Sequence, residues 1–155
     1  MEPLATLIAR HAGPGQLAWI GIRPARRAPM IDVAAVDVTE AGLSGDHVTG
    51  PGKRAVTLLQ AEHLPVVAAL ARRERVVPGD LRRNLVISGL NLNALRGRRI
   101  TVGLVEFEVT GPCAPCSRME EALGPGGYTA MRGHGGWCAR VIWPGKIALG
   151  DPVQA

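Results

Sequence analysis

The sequence predicts a mainly β fold of the β-rich α+β class, built as a β-barrel with one longer helix and a few short ones. The 155 residues include 20 Gly and 12 Pro, which interrupt helices and favour short strands joined by turns. Aromatic residues make up only 3%, so the core is expected to be aliphatic. A parallel Rossmann sheet is not expected, because strands and helices do not alternate along the chain.

Strands are predicted where β-branched and aliphatic residues run between clusters of turn residues. The predicted strands cover residues 4–8, 17–22, 31–38, 54–59, 84–88, 99–102, 105–109, 137–143 and 146–149. A hairpin is expected across Gly103, and a second one around Pro144 and Gly145.

One segment has the spacing of a longer helix. Between residues 60 and 75, Leu64, Val67, Ala68 and Ala71 fall on one face, which predicts a helix of about three to four turns. Shorter helices are expected at 91–95 and 117–123. The chain length fits a single domain spanning 1–155.

Composition and charge narrow the function classes. The formal net charge is +5, and Arg supplies most of the excess. The planar Arg guanidinium binds phosphate and carboxylate, so an anionic small molecule or cofactor is the expected partner. Nucleic acid is not expected, because the aromatic side chains that stack on bases are nearly absent. No apolar run is long enough to span a membrane.

Cysteine usage indicates a reducing compartment. The chain has three Cys, an odd number, and the first ten residues lack the apolar core of a signal peptide. We therefore expect reduced thiols and a cytoplasmic location.

The sharpest local motif is a Cys-x-x-Cys turn between a predicted strand and a predicted helix. It contains Cys113 and Cys116, with Pro112 and Pro115 restricting the backbone. A helix start favours a thiolate, and Arg118 adds positive charge, so we expect Cys116 to ionise first.

Four interpretations of this turn stay open from the residues alone. The two Cys form a thioredoxin-like redox pair, or they are merely small buried hydrophobes. A zinc-stabilised binding module would use Cys113, Cys116, His134 and Cys138. In the fourth interpretation, Cys116 alone is a thiolate ligand to a softer metal.

Two further stretches carry polar residues in suitable places. Asp46 and His47 lie in a glycine-rich loop that precedes Arg54, where His47 could act as an acid or base oriented by Asp46. A simple turn, with Asp46 bonded to the backbone, is the alternative. Arg82, Arg83 and Asn84 stand at the start of a predicted buried strand, where polar groups could point into the mouth of a pocket; an exposed basic turn is the alternative. We expect Cys116, Arg82, Asn84 and the 46–54 loop to converge on one cleft.

Seven motifs occur in order along the chain. They are Gly45-Asp46, Arg54-x-Val-Thr-Leu58, Glu62, Arg82-x-Asn84-Leu-Val-Ile-Ser-Gly89, Val105-Glu-Phe-Glu-Val109, Pro112-Cys-x-Pro-Cys116 and Gly145-x-Ile-x-x-Gly-Asp-Pro-Val153. In this order they resemble the MOSC domain, the module at the C-terminus of molybdenum cofactor sulfurases, and its short stand-alone bacterial members most of all. The resemblance covers residues from about 31 to 153.

The resemblance implies a barrel of the pyruvate kinase β-barrel type and binding of molybdenum cofactor (molybdopterin). It implies that Cys116 is the thiolate ligand of the metal and that Arg82 and Asn84 contact the cofactor. We place Arg54, Asp46 and His47 beside them as cofactor-binding residues.

Two activities follow from the relatives. Some relatives reduce N-hydroxylated substrates, which here requires a redox partner protein because the sequence has no flavin, haem or iron–sulfur signature. Sulfurase relatives pass sulfur to the cofactor, which implies a Cys116 persulfide loaded by a cysteine desulfurase. Pyridoxal phosphate would then belong to that partner alone. The resemblance thus implies either a component of a molybdenum-dependent oxidoreductase or a sulfur transferase.

Overall fold

A closed barrel of β-strands forms the centre of the computed structural model, which describes residues 1–155. The strands are β1 (Gly15–Ile22), β2 (Ile31–Asp32), β3 (Ala35–Thr39), β4 (Gly42–Leu43), β5 (Val56–Gln60), β6 (Leu85–Ser88), β7 (Arg99–Val102), β8 (Val105–Pro112), β9 (Trp137–Trp143), β10 (Gly145–Ala148) and β11 (Pro152–Gln154). The helices are α1 (Leu4–Ile8), α2 (His63–Leu70), α3 (Pro78–Leu81), α4 (Ser117–Leu123) and α5 (Gly127–Met131), with a 3-10 turn at Leu92–Ala94.

Around the barrel the strand order is β1, β11, β7, β8, β9, β5 and β6, and β6 pairs with β1 to close it. The mainly β barrel predicted from the sequence is confirmed. The β5–β6 pair is parallel and the other pairs in the barrel are antiparallel. A parallel pair needs a long crossover connection, and α2 and α3 lie within it.

A small antiparallel sheet of β10, β3 and β4 packs beside the barrel. In it, Ile147 of β10 lies opposite Val36 of β3. The hairpin expected around Pro144 and Gly145 is therefore wrong: β9 stays in the barrel and β10 pairs with β3. Because β9 and β10 follow each other directly along the chain, the sequence favoured a hairpin between them. The pairing of β10 with β3, which is distant in sequence, prevails instead.

The strands bury apolar residues on both of their faces. Val56 and Leu58 of β5 belong to the main core inside the barrel, whereas Leu59 belongs to a second cluster outside it. Met119 of α4 and Met131 of α5 are part of that second cluster. Alternation along β5 thus places Thr57 on the outer face of the barrel wall.

Two predicted elements differ from the structure. Residues 4–8 form the helix α1 rather than a strand, because the N–H groups of Thr6 and Leu7 bond locally to the Pro3 carbonyl and no neighbouring strand pairs with the segment. The longer helix expected over 60–75 is wrong in length. Gln60 belongs to β5, α2 has eight residues, and Arg72 has a φ of 57°, which is incompatible with a continuing helix.

None of the helices combines the length and the apolar composition that crossing a membrane requires.

Candidate functional site

A row of residues crosses the outer face of four neighbouring strands. The parallel register of β5 and β6 places Thr57 beside Asn84, and Thr57 lies opposite Cys138 of β9. Cys138 in turn lies opposite Gly111 of β8. Paired residues in a ladder share a face, so the polar groups of this row lie together on the barrel wall.

Asn84 is the centre of a buried hydrogen-bond network. Its Oδ1 accepts from the Thr57 amide and from Thr57 Oγ1, both at 3.1 Å. Its Nδ2 donates to Asp46 Oδ2 at 2.6 Å and to the Gly21 carbonyl at 3.1 Å. Only 1% of Asn84 is exposed, so the network replaces water for each of these groups.

Asp46 extends this network to the loop after β1. Both of its oxygens accept from Arg23 Nε, at 3.2 and 3.1 Å, and Oδ1 also accepts from the Val48 amide at 2.9 Å. The bond to Val48 makes the turn that the sequence left open as an alternative. This buried carboxylate accepts from one cation and two neutral donors, so its charge is compensated and Asp46 fixes the loop.

His47 does not receive the orienting hydrogen bond expected from Asp46. Its Nδ1 lies 2.9 Å from the Arg23 carbonyl oxygen and 4.0 Å from Asp46 Oδ1. The His47 amide donates to the same Arg23 carbonyl at 2.7 Å. His47 therefore tethers the two loops, and a separate Asp–His pair is absent because Asp46 already bonds to other donors.

Backbone carbonyls hold the side chain of Arg82 in place. Its φ of 55° is in the left-handed region, which turns the chain between α3 and β6. Its guanidinium donates to the Ala28 carbonyl at 2.6 Å and the Ala25 carbonyl at 3.4 Å. Partial burial lowers the pKa of Arg82, the positive charges of Arg118 and Arg23 add to this effect, and the negative charge of Asp46 opposes it.

A surface cleft of about 320 Å³ opens beside Arg82. Arg27, Arg82 and Arg118 line it together with Asp80 and Glu121. Three guanidiniums against two carboxylates give the cleft an excess of donors suited to an anionic group.

The Cys-x-x-Cys turn leaves Cys116 exposed, directly before α4. Arg83, which is 7% exposed, ties this turn to the barrel. It donates to the Gly135 carbonyl at 2.7 Å and to the Ala114 carbonyl at 3.4 Å. The following Gly136 has a φ of 86°, and a Cβ there would lie 2.0 Å from the Leu58 carbonyl oxygen, so only glycine allows this close approach.

Cys113 is the thiol whose pKa is lowered, to about 6, which the sequence analysis did not predict. The largest cause is the hydrogen bond from Cys138, and the charges of Arg83, Arg23 and Arg54 contribute. Burial and the same contact raise the pKa of Cys138, so the pair shares one proton across the neutral range.

Arg54 is exposed and makes no side-chain hydrogen bond. It contributes to the site through its charge near Cys113.

The zinc module is contradicted by the arrangement of its four residues. No group of three or more His, Cys, Asp or Glu side chains is close enough together to hold a metal ion. Cys113 and Cys138 are neighbours, but Cys116 faces solvent and the His134 ring packs edge-on against His63 with centroids 5.2 Å apart. The matching spacing in the sequence does not produce a tetrahedral set, because Cys116 and His134 are directed elsewhere.

The structure therefore brings Asp46 and Asn84 into direct contact, and it places Arg82 in one cleft with Arg118, two residues after Cys116. The sequence did not single out Arg23 or Thr57, whereas it did draw attention to Arg83. Thr57 had a signal, since it is the one polar residue between apolar neighbours in a predicted strand. Arg23 had none beyond membership of a basic cluster.

Comparison with known proteins identifies related folds. The family model of the MOSC domain matches residues 44–154. Three solved structures resemble the chain: YuaD from Bacillus subtilis, YiiM from Geobacillus stearothermophilus and YiiM from Escherichia coli. No curated protein matches the sequence.

The three structures share the fold over nearly the whole chain. YuaD has 19% identity and a TM-score of 0.81, covering 90% of this chain and 94% of its own. The Geobacillus YiiM has 21% identity and a TM-score of 0.74, covering 91% and 74%. The Escherichia YiiM has 24% identity and a TM-score of 0.69, covering 92% and 68%.

Proposed function

The chain belongs to the MOSC domain family, and we propose that it binds molybdenum cofactor with the Cys116 thiolate as a ligand of the metal. The observation that carries the proposal is the position of Cys116, an exposed thiol that directly precedes α4, whose Arg118 lines the same cleft as Arg82. Thiolate is a soft donor suited to such a metal, and guanidinium groups suit the phosphate of a pterin. The donor set present in the chain therefore fits the cofactor.

Some residues of the chain would contact the cofactor, and others would position those residues. Arg82 and Arg118 would hold the anionic part of the cofactor, and Arg82 is already oriented by the Ala25 and Ala28 carbonyls. Asn84 and Asp46 keep Arg23 and the 46–54 loop in place, which makes them positioning residues. Arg54 and His47 lie on the side of that loop. Together with Cys116, Arg82 and Arg118 they form the edge of the proposed site, which we call the rim. When bound, the cofactor supplies a metal centre for two-electron chemistry.

Under this proposal the chain is the cofactor-binding component of an oxidoreductase that acts on N-hydroxylated substrates. A separate redox protein in the cytoplasm would deliver the electrons. The whole of 1–155 would act as one domain in this role.

The direct test measures molybdenum and pterin in chains purified from a host that makes the cofactor. The wild type is expected to retain both, and Cys116→Ser is expected to lose most of the metal. Cys138→Ser is the matched control, since it removes a thiol from the neighbouring row and is expected to keep the metal. Equal metal and pterin contents in the wild type and Cys116→Ser would contradict the proposal.

Sulfur transfer through a Cys116 persulfide is the second candidate, favoured by the exposure of this thiol to a protein partner. The partner would be a cysteine desulfurase carrying its own pyridoxal phosphate. Incubation with the desulfurase and cysteine should add the mass of one sulfur atom to Cys116. A chain whose Cys116 alkylates readily but never gains that mass would eliminate this candidate.

A further inference from the structure

Cys113 and Cys138 are diagonal neighbours across two paired strands. Beyond the end of β8, the Cys113 amide donates to the Gly136 carbonyl at 2.9 Å, which continues the β8–β9 register by one residue. Cys138 lies two residues further along β9, opposite Gly111. Residues at i and j+2 of an antiparallel pair point to the same face, so both sulfur atoms lie on the outer side of the barrel wall.

The two residues that complete this pair of ladder positions are both glycine. The other two positions of this diagonal are Gly111 and Gly136, which have no Cβ. The two thiols are therefore close neighbours on this face, and the effect of Cys138 on the pKa of Cys113 agrees with that proximity.

We propose that Cys113 and Cys138 form a reversible disulfide when the chain meets hydrogen peroxide, which makes this pair an oxidative modification site distinct from Cys116. The Cys-x-x-Cys spacing pairs Cys113 with Cys116 instead, and the strand register is what separates the two assignments. The proposal does not depend on the binding of a cofactor.

The environment favours Cys113 as the thiol that reacts first. Cys113 is partly accessible, whereas Cys138 is 7% exposed. The Cys138 hydrogen bond and the charges of Arg83, Arg23 and Arg54 stabilise its thiolate at neutral pH. A thiolate that solvent can reach is the form that peroxide oxidises.

The chemistry proceeds in two balanced steps. The Cys113 thiolate attacks one peroxide oxygen and breaks the O–O bond, which gives a sulfenic acid on Cys113 and releases hydroxide. The Cys138 sulfur then attacks the Cys113 sulfur, and the sulfenic oxygen leaves as water with the Cys138 proton. The two thiols lose two electrons in total to one peroxide, and an external dithiol reverses the reaction.

Tryptic peptides distinguish the two pairings. Residues 100–118 form one peptide that holds both Cys113 and Cys116, and residues 133–140 form another that holds Cys138. The experiment treats the reduced full-length chain with hydrogen peroxide and blocks free thiols with N-ethylmaleimide before digestion. The proposal predicts that the two peptides are joined, with one maleimide on the first, and that dithiothreitol separates them.

Two cysteine variants identify which thiols form the cross-link. Cys116→Ser is expected to keep the cross-link, and in it only Cys113 can be the partner of Cys138. Cys138→Ser is expected to lose the cross-link and to accumulate a sulfenic acid on Cys113 that dimedone traps. The wild type and Cys116→Ser suffice if Cys138→Ser fails to fold. A disulfide within peptide 100–118, or over-oxidised Cys113 with Cys138 still free, would overturn the proposal.

Discussion

The buried row around Asn84 and the exposed rim around Cys116 are built for different tasks. In the row, Asn84 and Thr57 satisfy one another, and Asp46 is only 5% exposed. In the rim, Cys116 and Arg54 face solvent without such partners. Polar groups that are fully bonded inside the protein fix the backbone, whereas polar groups left accessible meet a ligand. The row therefore determines where the rim lies, and under the proposal the rim holds the cofactor.

Breaking the row should produce the largest loss of stability. Asn84→Ala leaves the Thr57 amide without its acceptor and removes one of the donors to Asp46, and an unpaired buried group costs about 1–3 kcal/mol. We expect the free energy of unfolding to fall by roughly 2–4 kcal/mol. Urea denaturation measures it, with Asn93→Ala, an exposed asparagine, as the matched control. A loss no larger than that of the control would show that the row is not a structural centre.

The free energy of unfolding should depend on pH because Cys113 and Cys138 share one proton in the folded chain. The pKa of Cys113 in the folded chain is about 6, below the value of an unfolded thiol, so the unfolded state binds more protons between the two values. Stability should therefore rise with pH from about 6 to about 8.5, and this gain is lost as pH falls through the folded pKa. Above that range it should decrease, because folded Cys138 keeps a proton that the unfolded thiol releases.

Cys138→Ala tests the cause of this profile. The substitution removes the hydrogen bond that lowers the pKa of Cys113, so the rise with pH should become shallower. Urea unfolding at several pH values provides the comparison. A profile identical to that of the wild type would mean that the Cys138 contact does not set the pKa.

Removing the tether between the two loops should have an intermediate effect. His47→Ala deletes the Nδ1 contact with the Arg23 carbonyl but leaves the backbone bond between the same residues. The expected cost is about 0.5–1.5 kcal/mol in the free energy of unfolding. Thermal unfolding measures the change, and His11→Ala, on the N-terminal surface, is the control. A cost matching that of Asn84→Ala would place His47 within the row.

The rim should contribute least to stability and most to binding. Arg118→Ala and Arg54→Ala remove exposed or half-exposed charges and are expected to change the free energy of unfolding by less than about 0.5 kcal/mol. Arg118→Ala should nevertheless lower the pterin content of the purified chain, because Arg118 lines the cleft. Arg73→Ala, outside the cleft, is the control. Unchanged pterin content in Arg118→Ala would remove the cleft from the proposed site.

The fold was more predictable than the site because strands carry a local signal. Alternating and β-branched residues predict β1, β7 and β8, and the helix α4 occupies the predicted residues 117–123. The partner of a strand has no such signal, so the pairing of β10 with β3 was missed.

The same limit applies to the side chains. The Cys-x-x-Cys spacing draws attention to Cys113 and Cys116, but the contact of Cys113 with Cys138 depends on the register of β8 and β9. Arg23 reaches Asp46 across 23 positions of sequence, and nothing local marks that ion pair. Order and spacing of motifs therefore predicted the family, while the network that supports the site required the fold.

Maleimide protection of Cys116 tests the central claim most directly, since it probes the thiol in the unaltered chain. Cofactor-loaded and cofactor-free wild type, with molybdenum measured in each, are labelled with N-ethylmaleimide and examined by peptide mapping. The account predicts that Cys116 labels quickly in the free chain and is protected in proportion to the molybdenum bound. Equal labelling of Cys116 in a chain that holds one molybdenum per molecule would contradict it.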